Sequence, residues 1–162
     1  RYADFFKNFA DKCHHGKEED RLFVKMSAFG FPSDFGPIAV MLSEHAEGRG
    51  HVGALVSIGS GTEPLSASEI DDLCEHASAY IPMLRAHIQK EDNILYPMAL
   101  QAIPTVEMDA LAESYETFEK EIMGAGEHEK FHALAVELIG AYPPDARKMA
   151  EGEACVGCMG HM

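Results

Sequence analysis

The chain has no tryptophan and only four cysteines in 162 residues, and its 13 Lys and Arg are outnumbered by 27 Asp and Glu. Each shortage excludes something. Four scattered cysteines do not frame a disulfide-held fold. Cys13 and Cys74 fall inside helical patterns and read as small core residues of a reducing compartment. The scarcity of basic residues leaves a formal charge of −14. That charge repels phosphate backbones and anionic lipid, so neither nucleic acid nor membrane is an expected partner. No apolar run approaches the roughly 18 residues of a membrane span. The opening "RYADFFKNFADKC" lacks the basic start, apolar stretch and small-residue cleavage site of a signal peptide. The expected location is therefore cytoplasmic. No segment alternates apolar and polar residues long enough to make a convincing strand.

What remains is helical. Phe5, Phe6, Phe9 and Cys13 recur at helix-face intervals, and Leu22, Phe23 and Met26 continue the face, predicting a helix over 2–28. "FGFPSDFGP" breaks it, and Pro37 suits the first turn of a second helix that ends at "GSGTEP". Ser66 followed by Glu69 is a capping box opening a third helix to about 102, with Pro82 inside it as an expected kink. Further helices are expected over about 105–123 and 127–141, the second ending at "YPPD". The expectation is one all-α domain over 1–142, antiparallel helices joined by short loops, followed by a weakly ordered tail over 143–162.

The unusual feature is a repeat. "CHHGKEEDRLF" and "AHIQKEDNILY" carry His14, Lys17, Glu18, Leu22 and Phe23 onto His87, Lys90, Glu91, Leu95 and Tyr96 at a constant offset of 73 residues. Residues four apart on a helix share a face, so His14/Glu18 and His87/Glu91 each set an imidazole beside a carboxylate. One such pair alone is commonly a solvated surface pair. Two copies, each followed by the same Leu-aromatic step, bear the same relation to a buried stripe. The second helix adds His45 in "SEHAEGRG". Facing inward, these groups would give three His and two Glu to one interior volume. Buried carboxylates are costly unless paired or metal-bound, and an imidazole–carboxylate set suits iron, manganese or zinc rather than calcium or magnesium. In "HHGKEE", His15/Glu19 offers an alternative register at the same spacing, and His14/Glu18 is preferred because the copy at His87 aligns with it. Tyr80 and Tyr96 are candidates to line the pocket, though Tyr96 reads rather as a core aromatic.

"FADKCHHGKEEDRLF", "GPIAVMLSEHAEGR" and "HIQKEDNILYP" together resemble the hemerythrin-like, or HHE cation-binding, domain, and "GEHEKFHALAVEL" resembles a C-terminal extension seen in some members. The resemblance implies an up-down antiparallel four-helix bundle with an additional C-terminal helix. It also implies a non-haem di-iron centre ligated by His14, Glu18, His45, His87 and Glu91, with the carboxylates as bridges and zinc or manganese as alternative ions. The family draws one more His from a helix ahead of "FADKCHHGKEED" that this sequence does not contain. Either an N-terminal part lies outside the sequence or another group, such as His128/His132 in "HEKFH", takes its place. Where some members have a second His one turn after the His45 position, this sequence has Arg49.

The function implied is binding or sensing of O2 or a related small oxidant or diatomic, NO or peroxide. The rivals are an iron-dependent oxidoreductase with a redox partner, an iron-storage or repair protein using the Cys155/Cys158 pair with His161, and a structural zinc site. His51 and His76 read as surface residues.

Overall fold

The computed structural model describes residues 1–61, 64–124 and 126–143. Within them the chain is all helical, with five rods and no strand. Helix α1 covers 2–28, α2 Gly36–Gly59, α3 67–102, α4 Thr105–Ile122 and α5 Glu127–Ala141. The Cys155, Cys158 and His161 cluster lies outside the described residues.

The boundaries follow local chemistry. Pro37 occupies the first turn of α2, where its missing N–H costs nothing. Ser66 and Glu69 form the expected reciprocal capping box at the start of α3, the Ser66 hydroxyl accepting from the Glu69 N–H while Ser66 N–H donates to Glu69 Oε2. Helix α3 runs on through Pro82. Gly124 and Gly126, both at positive φ, separate α4 from α5.

Cross-helix contacts give the directions. The pairs Glu44–His87 and His51–His76 show α2 antiparallel to α3. Phe6–Tyr80 and Glu18–Tyr96 show α1 parallel to α3. Lys25–Glu107 and Lys17–Glu119 run α4 antiparallel to α1, and Phe9–His128 with Arg1–Glu137 run α5 the same way along the N-terminal part of α1. Thus α4 and α5 follow one another along α1 in the same sense. Gly16 allows the close approach of α4: a Cβ there would stand 2.8 Å from Phe118 Cζ.

Leu22, Phe23 and Met26 of α1, Ile38 and Met41 of α2, Leu95 and Ala99 of α3 and Leu111 of α4 form the apolar core. Cys13 is buried but Cys74 is exposed, so the expectation of two core cysteines holds for the first alone. Cys74 lies on a solvent-facing turn of α3, where helical periodicity places polar residues as readily as small ones.

Both copies of the repeat are wide turns. Glu18–Leu22 and Glu91–Leu95 are π-helical, and the N–H groups of Phe23 and Tyr96 each bond the carbonyl five residues back, at Glu18 and Glu91. The offset of the sequence repeat is therefore also the offset of a backbone repeat. A further π stretch covers Phe6–His15. Such turns interrupt α-helices mostly at functional sites, because they re-aim the side chains around them.

Candidate metal centre

Four of the five expected ligands meet in one place, three from the repeat and one, His45, from the second helix. Glu18 from α1, His45 from α2 and His87 and Glu91 from α3 are all buried, and a ligand atom from each lies within 4.8 Å of the others. His45 Nε2 is 3.3 Å from Glu18 Oε2, and His87 Nε2 is 2.9 Å from Glu91 Oε1. The second distance is short, yet the two atoms are not aligned as donor and acceptor. Glu18 Oε2, His45 Nε2, His87 Nε2 and Glu91 Oε1 are all buried without a hydrogen-bond partner. Buried polar atoms almost always have partners. Four orphans converging on one point, two of them carboxylate oxygens, are the arrangement a cation would satisfy.

The fifth predicted residue, His14, lies at the edge. Its side chain is 44% exposed, and its Nε2 is 3.7 Å from both Glu18 Oε2 and Glu91 Oε1. Its neighbour His15 is buried instead, stacked 3.9 Å from the His45 ring and edge-on to His87 at 5.9 Å. His15, His45 and His87 form a second convergent group. The alternative register is thus half used, with His15 inside and Glu19 in a supporting role. The π stretch ending at His15 explains the mixture, since α-helical spacing no longer decides which of two adjacent histidines faces inward.

Each buried imidazole is oriented by an acidic side chain. An ionised carboxylate only accepts hydrogen bonds, so Nδ1 must donate. His45 Nδ1–H donates to Glu19 Oε1 at 2.7 Å, His87 Nδ1–H to Glu44 Oε2 at 2.9 Å, and His15 Nδ1–H faces Asp11 Oδ1 at 3.3 Å. The proton on Nδ1 leaves the Nε2 lone pairs of His45 and His87 free toward the centre, as metal-bound histidines require. The acceptors are themselves held by cations. Lys90 pairs with Glu44, and Arg49 bridges Asp11 Oδ1 at 2.7 Å and Glu19 Oε1 at 2.8 Å. Arg49 therefore fixes the outer carboxylates where a further ligand would have been sought.

Electrostatics reflect the crowding. Burial, reinforced by His45 and His14, lowers the His15 imidazole to about 3. Burial opposes ionisation of Glu91 and Glu44, but His14 and His87 hold the first below the usual carboxylate range, and Lys90 and His87 the second. Burial also disfavours protonated His14 and His87, yet Glu91, with Glu18 beside His14 and Glu44 beside His87, raises both. Tyr96, read from sequence as a core aromatic, donates its hydroxyl to Glu18 Oε1 at 2.7 Å, and burial together with that carboxylate raises it far above an ordinary phenol.

The sequence matches the profile of the hemerythrin HHE cation binding domain over residues 1–99. The chain belongs to that family. Hemerythrin-type domains hold cations, and the His/Glu cluster described above is where this member would hold one. The match ends within α3, so α4 and α5 lie beyond it. Among curated proteins, an uncharacterized protein of Mycobacterium bovis is 25% identical over 122 residues, as are uncharacterized proteins of two Mycobacterium tuberculosis strains. The alignment covers 75% of this chain and 47% of each relative, so the chain spans about half the length of the proteins it matches. No solved structure matches it significantly.

The remaining candidates fall elsewhere. His128 lies against the Phe9 ring at 5.3 Å and His132 is exposed, so neither joins the cluster. Tyr80 packs edge-on against Phe6 at 5.4 Å. His15 and Glu19 were legible in the sequence only as the alternative register, and Asp11 and Glu44 were missed as acceptors. The latter sit in charged stretches that resemble any solvated helix face. The i,i+4 spacings Asp11–His15 and His15–Glu19 were the available signals, whereas Glu44, bonded across to His87, gave none. Among the described residues no helix is long and apolar enough to cross a membrane.

Proposed function

We propose that the centre holds a pair of non-haem iron ions, in an up-down helical bundle, and binds O2 or a related small oxidant or diatomic. The observation that carries this reading is the set of four buried, partnerless ligand atoms on Glu18, His45, His87 and Glu91. Mixed imidazole and carboxylate donors suit iron, manganese or zinc and lack the all-oxygen shell of calcium or magnesium. His14 Nε2, 3.7 Å from both Glu18 Oε2 and Glu91 Oε1, and the buried His15, which converges with His45 and His87, supply the further nitrogens that a second ion position would need. Iron would supply the reversible electron transfer that O2 binding needs.

The chain's own residues do the rest. Glu19 and Glu44 hold the Nδ1 protons of His45 and His87 and aim their Nε2 atoms. The Tyr96 hydroxyl holds Glu18 Oε1, leaving Oε2 for the centre. Leu95 and Phe23 close one end against water.

The other side is open. A cavity of about 360 Å³, walled by Leu22, Tyr96, Leu100, Met108, Leu111 and Tyr115, reaches His14 and Glu18. That volume exceeds what a diatomic molecule needs. The extra room could admit a reductant beside the oxidant, and so favours, as a second reading, turnover of peroxide or NO over simple carriage. Protein purified without oxygen, analysed for metals and then exposed to air, tests both. Two irons per chain and an oxygen-dependent visible absorption support binding, and steady oxidant consumption with a reductant supports turnover. Stoichiometric zinc without iron overturns the iron reading.

A further inference from the structure

A second pair of histidines meets outside this centre. His51 lies on α2, six residues beyond His45, or about 9 Å along the helix. His76 lies on α3, eleven residues before His87. The helices run antiparallel, and the two Nδ1 atoms face each other at 3.1 Å, with the rings inclined at 67°. The His51 side chain is 19% exposed. The pair is therefore held by helix packing but reached by solvent. Glu47 precedes His51 by one turn, its Oε1 3.9 Å from His51 Nε2. Asp72 stands one turn before His76 on the same face of α3. Because the helices are antiparallel, these two carboxylates flank the imidazole pair from opposite sides.

We propose that His51 and His76 form a second, solvent-accessible site for a first-row divalent ion, Zn²⁺ or Cu²⁺, clamping α2 to α3. Two imidazole nitrogens bound to one such ion at about 2.0–2.1 Å each stand roughly 2.9–3.4 Å apart, between right-angled and tetrahedral geometry. The observed separation falls inside that range without movement of either helix. Water completes the shell, since among the described residues no carboxylate oxygen converges with both nitrogens, and imidazole donors select zinc or copper over calcium or magnesium. The simpler alternative, one neutral imidazole donating Nδ1–H to the other, leaves both rings without need of an ion. Metal binding instead uses both Nδ1 lone pairs. The clamp would join the two helices that carry His45 and His87, outside the centre itself and independently of what that centre binds.

Zinc titration by calorimetry on the whole chain tests this. The wild type should bind one equivalent more than His51→Ala or His76→Ala, each variant losing it completely while keeping the metal content of the buried centre. Free Zn²⁺ at a hundredfold excess over the dissociation constant should multiply the wild type's folded-to-unfolded ratio about a hundredfold beyond any rise it shares with the two variants. His76→Ala, at a partly exposed position on α3, supplies the count if His51→Ala does not fold by circular dichroism. Equal zinc stoichiometry and equal zinc-induced stabilisation in wild type and variants overturn the proposal and leave a plain hydrogen bond.

Discussion

Replacing Tyr96 with Phe removes one hydroxyl and nothing else. In the folded protein that hydroxyl donates to Glu18 Oε1 at 2.7 Å, and the opposite oxygen, Oε2, is one of the four partnerless atoms. Hydrogen bonds to charged groups contribute about 1.5–3 kcal/mol. At about 1.4 kcal/mol per tenfold in affinity, the whole bond corresponds to roughly 10–150-fold. It already exists before metal arrives, so only the part that pre-orients the carboxylate is felt as affinity. Outer partners of metal ligands typically contribute about 10–100-fold. The expected loss is therefore near the lower end, about tenfold, accompanied by a drop of about 1–2 kcal/mol in the stability of the metal-free protein. Competition against a chelator of known affinity measures the first, and urea unfolding after metal removal the second. Tyr115→Phe is the control: its ring lines the same cavity, but it makes no hydrogen bond to Glu18. A Tyr96→Phe protein that binds iron within twofold of wild type and unfolds at the same urea concentration would refute the positioning role and weaken the assignment of Glu18.

Other perturbations follow from the same geometry. His45→Ala removes a donor shared by both convergent groups. It should abolish stoichiometric metal, whereas His128→Ala should leave metal content unchanged, both by elemental analysis. Glu44→Ala deprives His87 Nδ1 of its acceptor and should weaken metal binding about 10–100-fold without abolishing it, as read by chelator competition. In metal-free protein, His15 stays neutral down to about 3 against an ordinary 6.5. The unfolded chain therefore binds a proton in that window that the folded chain refuses, and stability falls as pH drops, by about 1.4 kcal/mol per unit below pH 6.5. His14 and His87 are raised and act in the opposite sense. The difference in urea stability between wild type and His15→Gln across pH 7 to 5 isolates the His15 contribution; identical slopes would contradict its burial as a neutral ring. Gly16→Ala places a Cβ 2.8 Å from Phe118 Cζ and should destabilise by about 1–3 kcal/mol, where an unobstructed helical site would gain nearly 1 kcal/mol from the same change. Phe118→Leu should relieve it, and thermal unfolding gives the sign.

The helices were legible because their ends carry strong local signals. Pro37, the Ser66/Glu69 box and the Gly124/Gly126 break each act through backbone chemistry that tertiary packing did not override. Glu18, His87 and Glu91 were legible through the offset repeat, and His45 through its place on an otherwise apolar helix. What escaped notice depends on a non-standard turn. Spacing rules presume 3.6 residues per turn, and the stretch Phe6–His15 departs from it, so the choice between His14 and His15 was not contained in the spacing. Asp11 and Glu19 lay at helical spacing from His15 but in stretches that read equally as solvated pairs, and Glu44 gave no periodic signal because its imidazole, His87, lies on another helix. Tyr96 looked like packing because its ring does pack; only its oxygen distinguishes it.

The paired wide turns at Glu18–Leu22 and Glu91–Leu95 each take up one residue more than an ordinary α-turn would. Excising one residue from either turn would let ordinary α-helix re-form, a change the backbone itself would welcome. The N–H groups of Phe23 and Tyr96 would then bond the same Glu18 and Glu91 carbonyls from four residues on instead of five, so the helix beyond the excision would keep nearly its present facing. A shortening of that kind would leave the core in register and lose only the widened turn, and with it the aim of the side chains the turn carries.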